Sequence, residues 1–336
     1  MTRPVQTTLL VIGAGPCGLA VGVAARTQGV PCILLDRGSI VHSLGRFPIG
    51  MTWFSTPELL ELGGLPFVTS GDKPSREEAL KYYRRVVLHF DLDVRQNVEA
   101  RRVTRSHDSG PFEVETRSAS GETQTYHAEC VVVAVGTFDS PNMLAVDGED
   151  LTKVDHYFRE AHRYCDQDVL VIGGSNSAVE SALACWRAGA RVTVVHRGSD
   201  FGRGVKPWIL PDMRGRMEAG EIEVLWEHSV VRIEEHRVLL RSQRGEPDVW
   251  VPNDRVLAMT GFRPDGEQLA ALGVSVDRAT GVPHHDPKTL LTPTPGLFIA
   301  GVLAAGSDGN SIFIENGREH GALILKHLKH AVVDGV

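Results

Sequence analysis

The sequence has few cysteines, and none of them form a close pair. Its 336 residues include five Cys, and no two of these lie within four positions of each other. Both CxxC redox pairs and zinc-ligand spacings are therefore absent from the sequence. We expect no metal site, and any redox chemistry has to rest mainly on a bound cofactor.

Long apolar runs and blocks of positive charge are also missing. No apolar stretch approaches the roughly 18 residues of a membrane-spanning helix, and the N-terminus enters a glycine-rich turn too early to contain a signal-peptide core. The net charge of −7 argues against nucleic acid or an anionic membrane as the main partner. We expect a cytoplasmic protein whose ligands are small molecules.

Glycine, in contrast, is abundant. It accounts for 35 residues, well above the usual share of about 7%. The pattern of strand, glycine turn, helix and strand occurs first with a helix over 16–28 and again, from residue 168, with a helix over 176–188. A third strand, TPGLFIAG, is followed by a long helical pattern from about 311 to 330, and a further helix is predicted over 75–90.

These repeats predict an α/β fold with two Rossmann-like, three-layer ββα dinucleotide-binding domains. The length suits two domains of roughly 100 to 200 residues each. We place the first domain at residues 1–140 plus 263–336. The second, residues 141–262, is inserted within it.

The first glycine-rich turn has the sequence Gly13-Ala14-Gly15-Pro16-Cys17-Gly18. In such a turn the first glycine permits the tight bend, the second lets the backbone approach a pyrophosphate, and the third permits close helix packing. Asp36 ends the next strand, where it can accept hydrogen bonds from ribose hydroxyls. The dinucleotide-binding residues predicted here are Gly13, Gly15, Pro16, Cys17, Gly18, Asp36 and Arg37.

The second glycine-rich turn, which starts at Gly173, matches the dinucleotide-binding pattern less closely than the first. His196 stands at the position that corresponds to Asp36 in the first copy. Asp36 lies 23 positions after Gly13 (36 − 13), and the same offset from Gly173 gives His196. A carboxylate there would repel the 2′-phosphate of NADP, whereas His196 and Arg197 can bind it. We therefore predict an NADPH site formed by Gly173, Ser175, Asn176, Ser177, Ala178, His196, Arg197, Arg203 and Lys206.

The order of motifs resembles the thioredoxin-reductase-like flavoproteins over essentially the whole chain. It is carried by the two turns, VVVAVGT, MTGFRPD and the terminal GLFIAG. The resemblance implies that the first turn binds FAD, together with Val98, Gly136, Gly301 and a helix N-terminus at Asn310, Ser311 and Ile312. Two features depart from that pattern: no CxxC is present, and Val302 replaces the usual Asp.

A narrower resemblance is to the bacillithiol disulfide reductases. It rests on IGAGPCGLA, MTWFSTPELLELGGLPF, VKPWILPD and GVLAAGSDGNSIFIENGREHG. It implies an NADPH-dependent reductase of a small disulfide that forms a homodimer. Other acceptors, namely ferredoxin or a protein disulfide, and a nucleotide-occupied redox sensor remain as alternatives.

Several residues are candidates for the chemistry. Cys17 is the redox residue that the family resemblance suggests, but it is also explained as a small residue that fills a tight turn. The segment 50–57, with Thr52, Phe54, Ser55 and Thr56, can offer hydroxyls and aromatic rings to the edge of a flavin. Candidate attractants for an acidic thiol are His42, Arg46, Lys73 and Arg76, and candidate proton donors are Glu315 and His320.

Overall fold

The computed structural model describes residues 3–105, 110–277, 279–309 and 311–333. The strands are β1 (Val5–Ile12), β2 (Cys32–Asp36), β3 (Asp93–Gln96), β4 (Val98–Arg105), β5 (Phe112–Ser118), β6 (Thr123–Val133), β7 (Val154–Asp155), β8 (Asp168–Ile172), β9 (Arg191–His196), β10 (Ile222–Trp226), β11 (His228–Glu234), β12 (Arg237–Ser242), β13 (Val249–Pro252), β14 (Arg255–Ala258) and β15 (Leu297–Ile299). The helices are α1 (Pro16–Thr27), α2 (His42–Gly45), α3 (Arg76–His89), α4 (Asn176–Arg187), α5 (Leu210–Glu218), α6 (Gly266–Ala271), α7 (Ile314–Gly317) and α8 (His320–Val333).

The chain divides into two compact units. Unit 1 comprises Met1–Arg46, Gly50–Ser140 and Phe262–Val336, and unit 2 comprises Phe47–Ile49 and Pro141–Gly261. Each unit has parallel strands connected by helices, which confirms the predicted α/β fold class.

Unit 1 is built on a seven-stranded sheet with the order β3-β2-β1-β6-β5-β4, and β15 also pairs with β6. Strand β1 runs parallel to both β2 and β6. Its residues Leu9, Leu10 and Val11 have no exposed surface, as expected for a central parallel strand that is covered on both faces. Helices α1 and α8 pack against each other.

Unit 2 contains a five-stranded parallel sheet, β10-β9-β8-β14-β7, and a three-stranded antiparallel sheet, β11-β12-β13. Alternate residues of β8 face two separate apolar clusters. Val169 and Val171 pack with α4, whereas Leu170 and Ile172 pack with residues of the three-stranded sheet.

The helices with a clear apolar period end within one residue of their predicted limits. For example, α3 begins after Ser75, which forms a capping box with Glu78. The single long helix predicted over 311–330 is wrong, because the structure has α7 and α8 as two separate helices. The Asn316 amide donates to the carbonyl of Ser311 and accepts from the N–H of Phe313, and these local side-chain bonds compete with helix at positions 311–313, where the predicted helix begins. No helix within the described ranges is long and apolar enough to cross a membrane.

Candidate functional site

The carboxyl ends of four parallel strands in unit 1 bring together residues that lie far apart in the sequence. Gly13 follows β1, Asp36 ends β2, and Gly136 and Gly301 come shortly after β6 and β15. These strands pair side by side in one sheet. Ligands of open parallel sheets bind outside this edge.

The three glycines of the first turn differ in why a side chain is absent at each position. A Cβ at Gly13 would lie 2.4 Å from the carbonyl oxygen of Ala134, and one at Gly18 would lie 1.9 Å from that of Gly13. These two positions therefore exclude any side chain. A Cβ at Gly15 would meet no atom of the protein within 4 Å, so the packing of the protein gives no reason for glycine at that position.

The start of α1 next to Gly15 is suited to an anion. Gly15 is the N-cap residue, no side chain caps the helix, and Pro16 occupies its first turn. The unpaired N–H groups and the helix dipole at such an end favour a phosphate. An open backbone at Gly15 beside an uncapped helix start therefore fits the pyrophosphate of a dinucleotide.

Asp36 fixes the shape of this edge. One of its carboxylate oxygens accepts from the backbone N–H of Ala14 and the other from that of Gly38, each at 2.8 Å. Each oxygen keeps a second acceptor site, which leaves capacity for ribose hydroxyls. The neighbouring Arg37 pairs with Asp139 at 2.5 Å, so its predicted contact with a dinucleotide would compete with this ion pair.

Two further glycines and a strand residue complete the predicted first site. Gly136 has φ +69°, and the nearest atom to a Cβ there would be Cγ1 of Val302 at 4.0 Å, which leaves its surroundings open. Gly301 has φ +77° and is buried. Val98 is partly buried at the start of β4, opposite Ser118.

The segment 52–56 and the segment around α7 lie together. Ser55 is buried, and its hydroxyl donates to the carboxylate of Glu315. Arg318 donates to the carbonyls of Glu58 and Glu61 at 2.7 and 2.9 Å. Among the other predicted residues here, Thr52, Thr56 and Ser311 are exposed, Phe54 and Ile312 are partly buried, and Asn310 lies outside the described residues.

The prediction of a helix N-terminus at positions 310–312 is wrong for the two described residues there. Ser311 and Ile312 precede α7, whose N-cap is Phe313 and which has only four residues. So short a helix has little dipole to offer a reduced flavin. Near α7 a hydrogen bond joins the Ser55 hydroxyl to the Glu315 carboxylate, a pairing that no sequence motif indicates.

The Cys17 thiol is enclosed, although the residue as a whole is partly exposed. A Cβ at Gly317 would lie 2.8 Å from Cys17 Sγ, and one at Gly301 would lie 3.1 Å from it. Burial raises the pKa of the thiol to about 12. In this arrangement Cys17 is protonated near neutral pH and is not a nucleophile.

His320 holds the turn that covers Cys17. Its Nδ1 accepts the backbone N–H of Gly301 at 3.0 Å. Burial, together with the nearby His285, lowers the pKa of His320 to about 4. A neutral imidazole does not suit the predicted role of proton donor near neutral pH.

This burial of His320 predicts a pH-dependent stability. Its pKa is about 4 in the folded protein against an ordinary 6.5, so between these values the unfolded chain binds a proton that the folded protein does not. The stabilisation is therefore complete above pH 6.5 and is lost as the pH falls toward 4. The loss amounts to about 3 kcal/mol at most.

Urea unfolding of the cofactor-loaded protein and of its His320→Asn variant, each at several pH values, measures this effect. The free energy of unfolding of the native protein should fall more steeply with acidification than that of the variant. Parallel curves for the two proteins would contradict it.

In unit 2, glycines of the second turn and of the loop after β9 pack closely against the ring of His196. Gly173 has φ +143°, and a Cβ there would lie 2.5 Å from the carbonyl oxygen of Met259. A Cβ at Gly174 would lie 2.5 Å from the His196 ring, and one at Gly198 would lie 2.8 Å from its Nε2. Burial and the charge of Arg197 lower the pKa of His196, so the ring is neutral and supplies no positive charge to a phosphate.

The positive charge at this edge comes from the residues that follow β9. Arg197 and Arg203 are exposed, and neither forms an ion pair with a carboxylate in the described part of the chain. The backbone N–H of Lys206 donates to Asn176 Oδ1 at 3.2 Å, which links this loop to the start of α4. At that helix start, Ser175 and Ser177 are exposed and Ala178 is buried.

The basic residues proposed to attract an acidic thiol are mostly engaged elsewhere. Arg46 pairs with Asp139. Arg76 donates to the carbonyls of Leu44 and Gly45 and pairs with Glu77. A Cβ at Gly38 would lie 2.4 Å from the His42 ring, so this ring packs on the backbone. Lys73 is exposed and also has an interaction partner.

Two dinucleotide-type turns in one chain fit the class of redox enzymes that use two dinucleotide cofactors. Comparison with known proteins supports this assignment. A model of the family described as "Pyridine nucleotide-disulphide oxidoreductase" matches residues 10–301. The chain belongs to this family of flavin- and pyridine nucleotide-using oxidoreductases.

Its relatives include one well-matched group. The chain is 41% identical over 321 residues to the bacilliredoxin reductase Bdr of Bacillus subtilis (strain 168), a match that covers 95% of this chain and 97% of that protein. The structure of the bacillithiol disulfide reductase Bdr (YpdA) from Bacillus cereus has a TM-score of 0.93 at 40% identity and covers 97% of this chain and 99% of that one. The same enzyme from Staphylococcus aureus gives 0.91 at 37% identity, with the same coverage. The resemblance to this group is thereby confirmed.

The fold extends beyond that group. A thioredoxin reductase from T. acidophilum superposes with a TM-score of 0.77 at 19% identity and covers 98% of this chain and 99% of that one. This likeness confirms the thioredoxin-reductase-like fold.

Proposed function

We propose that this chain is an FAD-containing, NADPH-dependent reductase of bacillithiol disulfide. The observation that carries the proposal is the contrast between the two turns. After the first turn, the next strand ends in the carboxylate of Asp36. After the second turn, the corresponding strand ends in the neutral His196, and two arginines follow, Arg197 and Arg203, that no carboxylate in the described ranges neutralises. The first suits a ribose with free hydroxyls, and the second suits a 2′-phosphate. The printed names of the two solved relatives supply the bacillithiol disulfide.

The first site would hold FAD through its backbone. The open Gly15 and the uncapped start of α1 would receive the pyrophosphate. Asp36 would bind the ribose, and the open surroundings of Gly136 would allow close approach at the edge of the sheet. Gly301, whose Cβ position is filled by Cys17, would offer only its backbone. FAD bound there would supply the redox chemistry, by which NADPH, one proton from solvent and the disulfide give NADP+ and two thiols.

Segment 52–56 is proposed to face the reacting end of the cofactor. The Ser55 hydroxyl donates a hydrogen bond to the carboxylate of the partly exposed Glu315, so a proton can be exchanged between these two groups. Of the two candidates, Glu315 is therefore the better placed to exchange a proton in this region, because the pKa of His320 is lowered to about 4 and its imidazole takes up no proton near neutral pH.

Cys17 remains the candidate redox residue, under one condition. Attack on a disulfide requires a thiolate and free space in line with the sulfur. Neither is present while Gly301 and Gly317 pack against Sγ and burial keeps the pKa of the thiol at about 12. Cys17 can become a nucleophile only when the turn at Gly301 moves away.

Anaerobic titration of the purified protein tests the proposed function. One equivalent of NADPH should bleach the oxidised flavin, and bacillithiol disulfide should restore its absorbance. A protein that carries no flavin and takes up none on reconstitution would end the proposal. If bacillithiol disulfide does not reoxidise the reduced flavin, the proposed cofactors would still hold, but the proposed substrate would be wrong.

Thioredoxin should be a poor acceptor. The five cysteines include no CxxC, so no pair of thiols can carry electrons from the enzyme to a protein disulfide. The measurement compares the rates of NADPH oxidation with thioredoxin and with bacillithiol disulfide at equal concentration. Equal rates would show that a second thiol takes part.

A further inference from the structure

A buried hydrogen bond joins α8 to the turn after β15, and the proposed reaction does not use it. The N–H of Gly301 donates to His320 Nδ1 at 3.0 Å. Gly301 has φ +77°, and its backbone lies directly over Cys17, because a Cβ there would be 2.9 Å from Cys17 Cβ and 3.1 Å from Sγ. The bond therefore ends at the backbone that encloses the thiol.

The position of His320 is itself firmly fixed. It is the first residue of α8, and the next residue, Gly321, approaches α1 so closely that a Cβ there would be 2.5 Å from the carbonyl oxygen of Ala20. Cys17 lies in the first turn of the same helix α1. His320 and Cys17 are therefore held on two packed helices, and the turn at Gly301 lies between them.

The bond also fixes the chemical state of the imidazole. An Nδ1 that accepts an N–H carries no proton, so His320 must be neutral with its proton on Nε2. The low pKa of His320 agrees with this geometry. Without an acceptor at Nδ1, the Gly301 N–H would be a buried donor with no partner, which is costly, and the turn would move to reach water.

We propose that His320 is a positioning residue that, by accepting the Gly301 N–H, holds the turn at Gly301 over Cys17 and controls how often the thiol becomes accessible. The inference rests on the proposed function in that Cys17 is its candidate redox residue. Thiol alkylation needs no turnover, so a failure of this inference can be distinguished from a failure of the proposed reaction.

The test is alkylation of the FAD-loaded protein by N-ethylmaleimide, with each cysteine followed by peptide mass spectrometry. Cys165 is exposed and serves as the internal reference. In His320→Leu, which removes the acceptor, Cys17 should react about tenfold faster, which corresponds to about 1.4 kcal/mol. In His320→Asn, whose side-chain oxygen can replace Nδ1, the rate should stay within about twofold of the native protein.

The matched control is His327→Leu. His327 lies on the same helix and packs edge-on against Phe298, with ring centroids 5.8 Å apart, so its replacement should leave the alkylation of Cys17 unchanged. An unchanged rate in His320→Leu would overturn the proposal. So would equal acceleration in the Leu and Asn variants, because the bulk of the ring rather than its acceptor would then matter.

A second measurement does not depend on the variants folding. In the ¹⁵N-histidine-labelled native protein, His320 Nδ1 should give the signal of an unprotonated acceptor nitrogen throughout the neutral pH range. A protonated Nδ1 would overturn the proposal, because that nitrogen could not accept the Gly301 N–H.

Discussion

Gly15→Val should yield a folded protein that carries no flavin. Position 15 has φ −71°, which valine can adopt, and a Cβ there meets no protein atom within 4 Å. The valine side chain would instead occupy the space assigned to the pyrophosphate. We expect the affinity for FAD to fall by far more than tenfold, that is by well over roughly 1.4 kcal/mol, so that the purified protein holds almost no flavin.

Two other glycines provide the controls. Gly71 is exposed, and a Cβ there would also meet no protein atom within 4 Å, so Gly71→Val should keep its flavin. Gly18→Val should lose both fold and flavin, because its Cβ would lie 1.9 Å from a backbone oxygen. Circular dichroism and the ratio of flavin to protein absorbance separate these cases. If the Gly15→Val protein is yellow, the pyrophosphate of FAD does not bind next to position 15.

Arg197→Ala should remove most of the preference for NADPH over NADH. His196 is neutral because burial and the charge of Arg197 lower its pKa, so the charge that binds a 2′-phosphate has to come from Arg197, Arg203 and Lys206, of which Arg197 directly follows the strand. A hydrogen bond to a charged group contributes about 1.5 to 3 kcal/mol, which corresponds to a loss of about 10- to 150-fold in relative preference. The ratio of flavin reduction rates with NADPH and NADH, both well below saturation, gives this number.

Arg191→Ala is the matched control for that substitution. Arg191 begins the strand that ends just before Arg197, it is exposed, and it pairs with Asp168. Its loss should leave the preference for NADPH unchanged. If the preference for NADPH falls only in Arg203→Ala, the 2′-phosphate contacts Arg203. If the ratio of the rates with NADPH and NADH is unchanged in both Arg197→Ala and Arg203→Ala, the predicted preference for NADPH is wrong.

The two strand, turn and helix repeats could be predicted because each depends on local signals. The apolar run of β1 and the glycines at 13, 15 and 18 specify a buried strand and a tight turn without reference to the rest of the chain. The structure then gives each glycine its own reason: Gly18 packs against backbone, whereas Gly15 faces open space. Sequence spacing alone does not distinguish these two cases.

The surroundings of Cys17 could not be predicted in this way. Its enclosure depends on Gly301 and Gly317, which meet it only after the chain returns to α1 through β15 and α7. The Ser55 and Glu315 pair likewise spans 260 positions. The long helix predicted over 311–330 failed for a local reason, because the Asn316 side chain bonds the backbone of Ser311 and Phe313, where the predicted helix begins.

The most direct test of the central claim is steady-state NADPH oxidation by the FAD-loaded protein with bacillithiol disulfide as acceptor. The account predicts rapid oxidation that depends on the disulfide, yields two thiols for each NADPH consumed, and is much slower with NADH, glutathione disulfide or thioredoxin. A rate that bacillithiol disulfide does not raise above the rate without acceptor, or that is highest with ferredoxin, would contradict it.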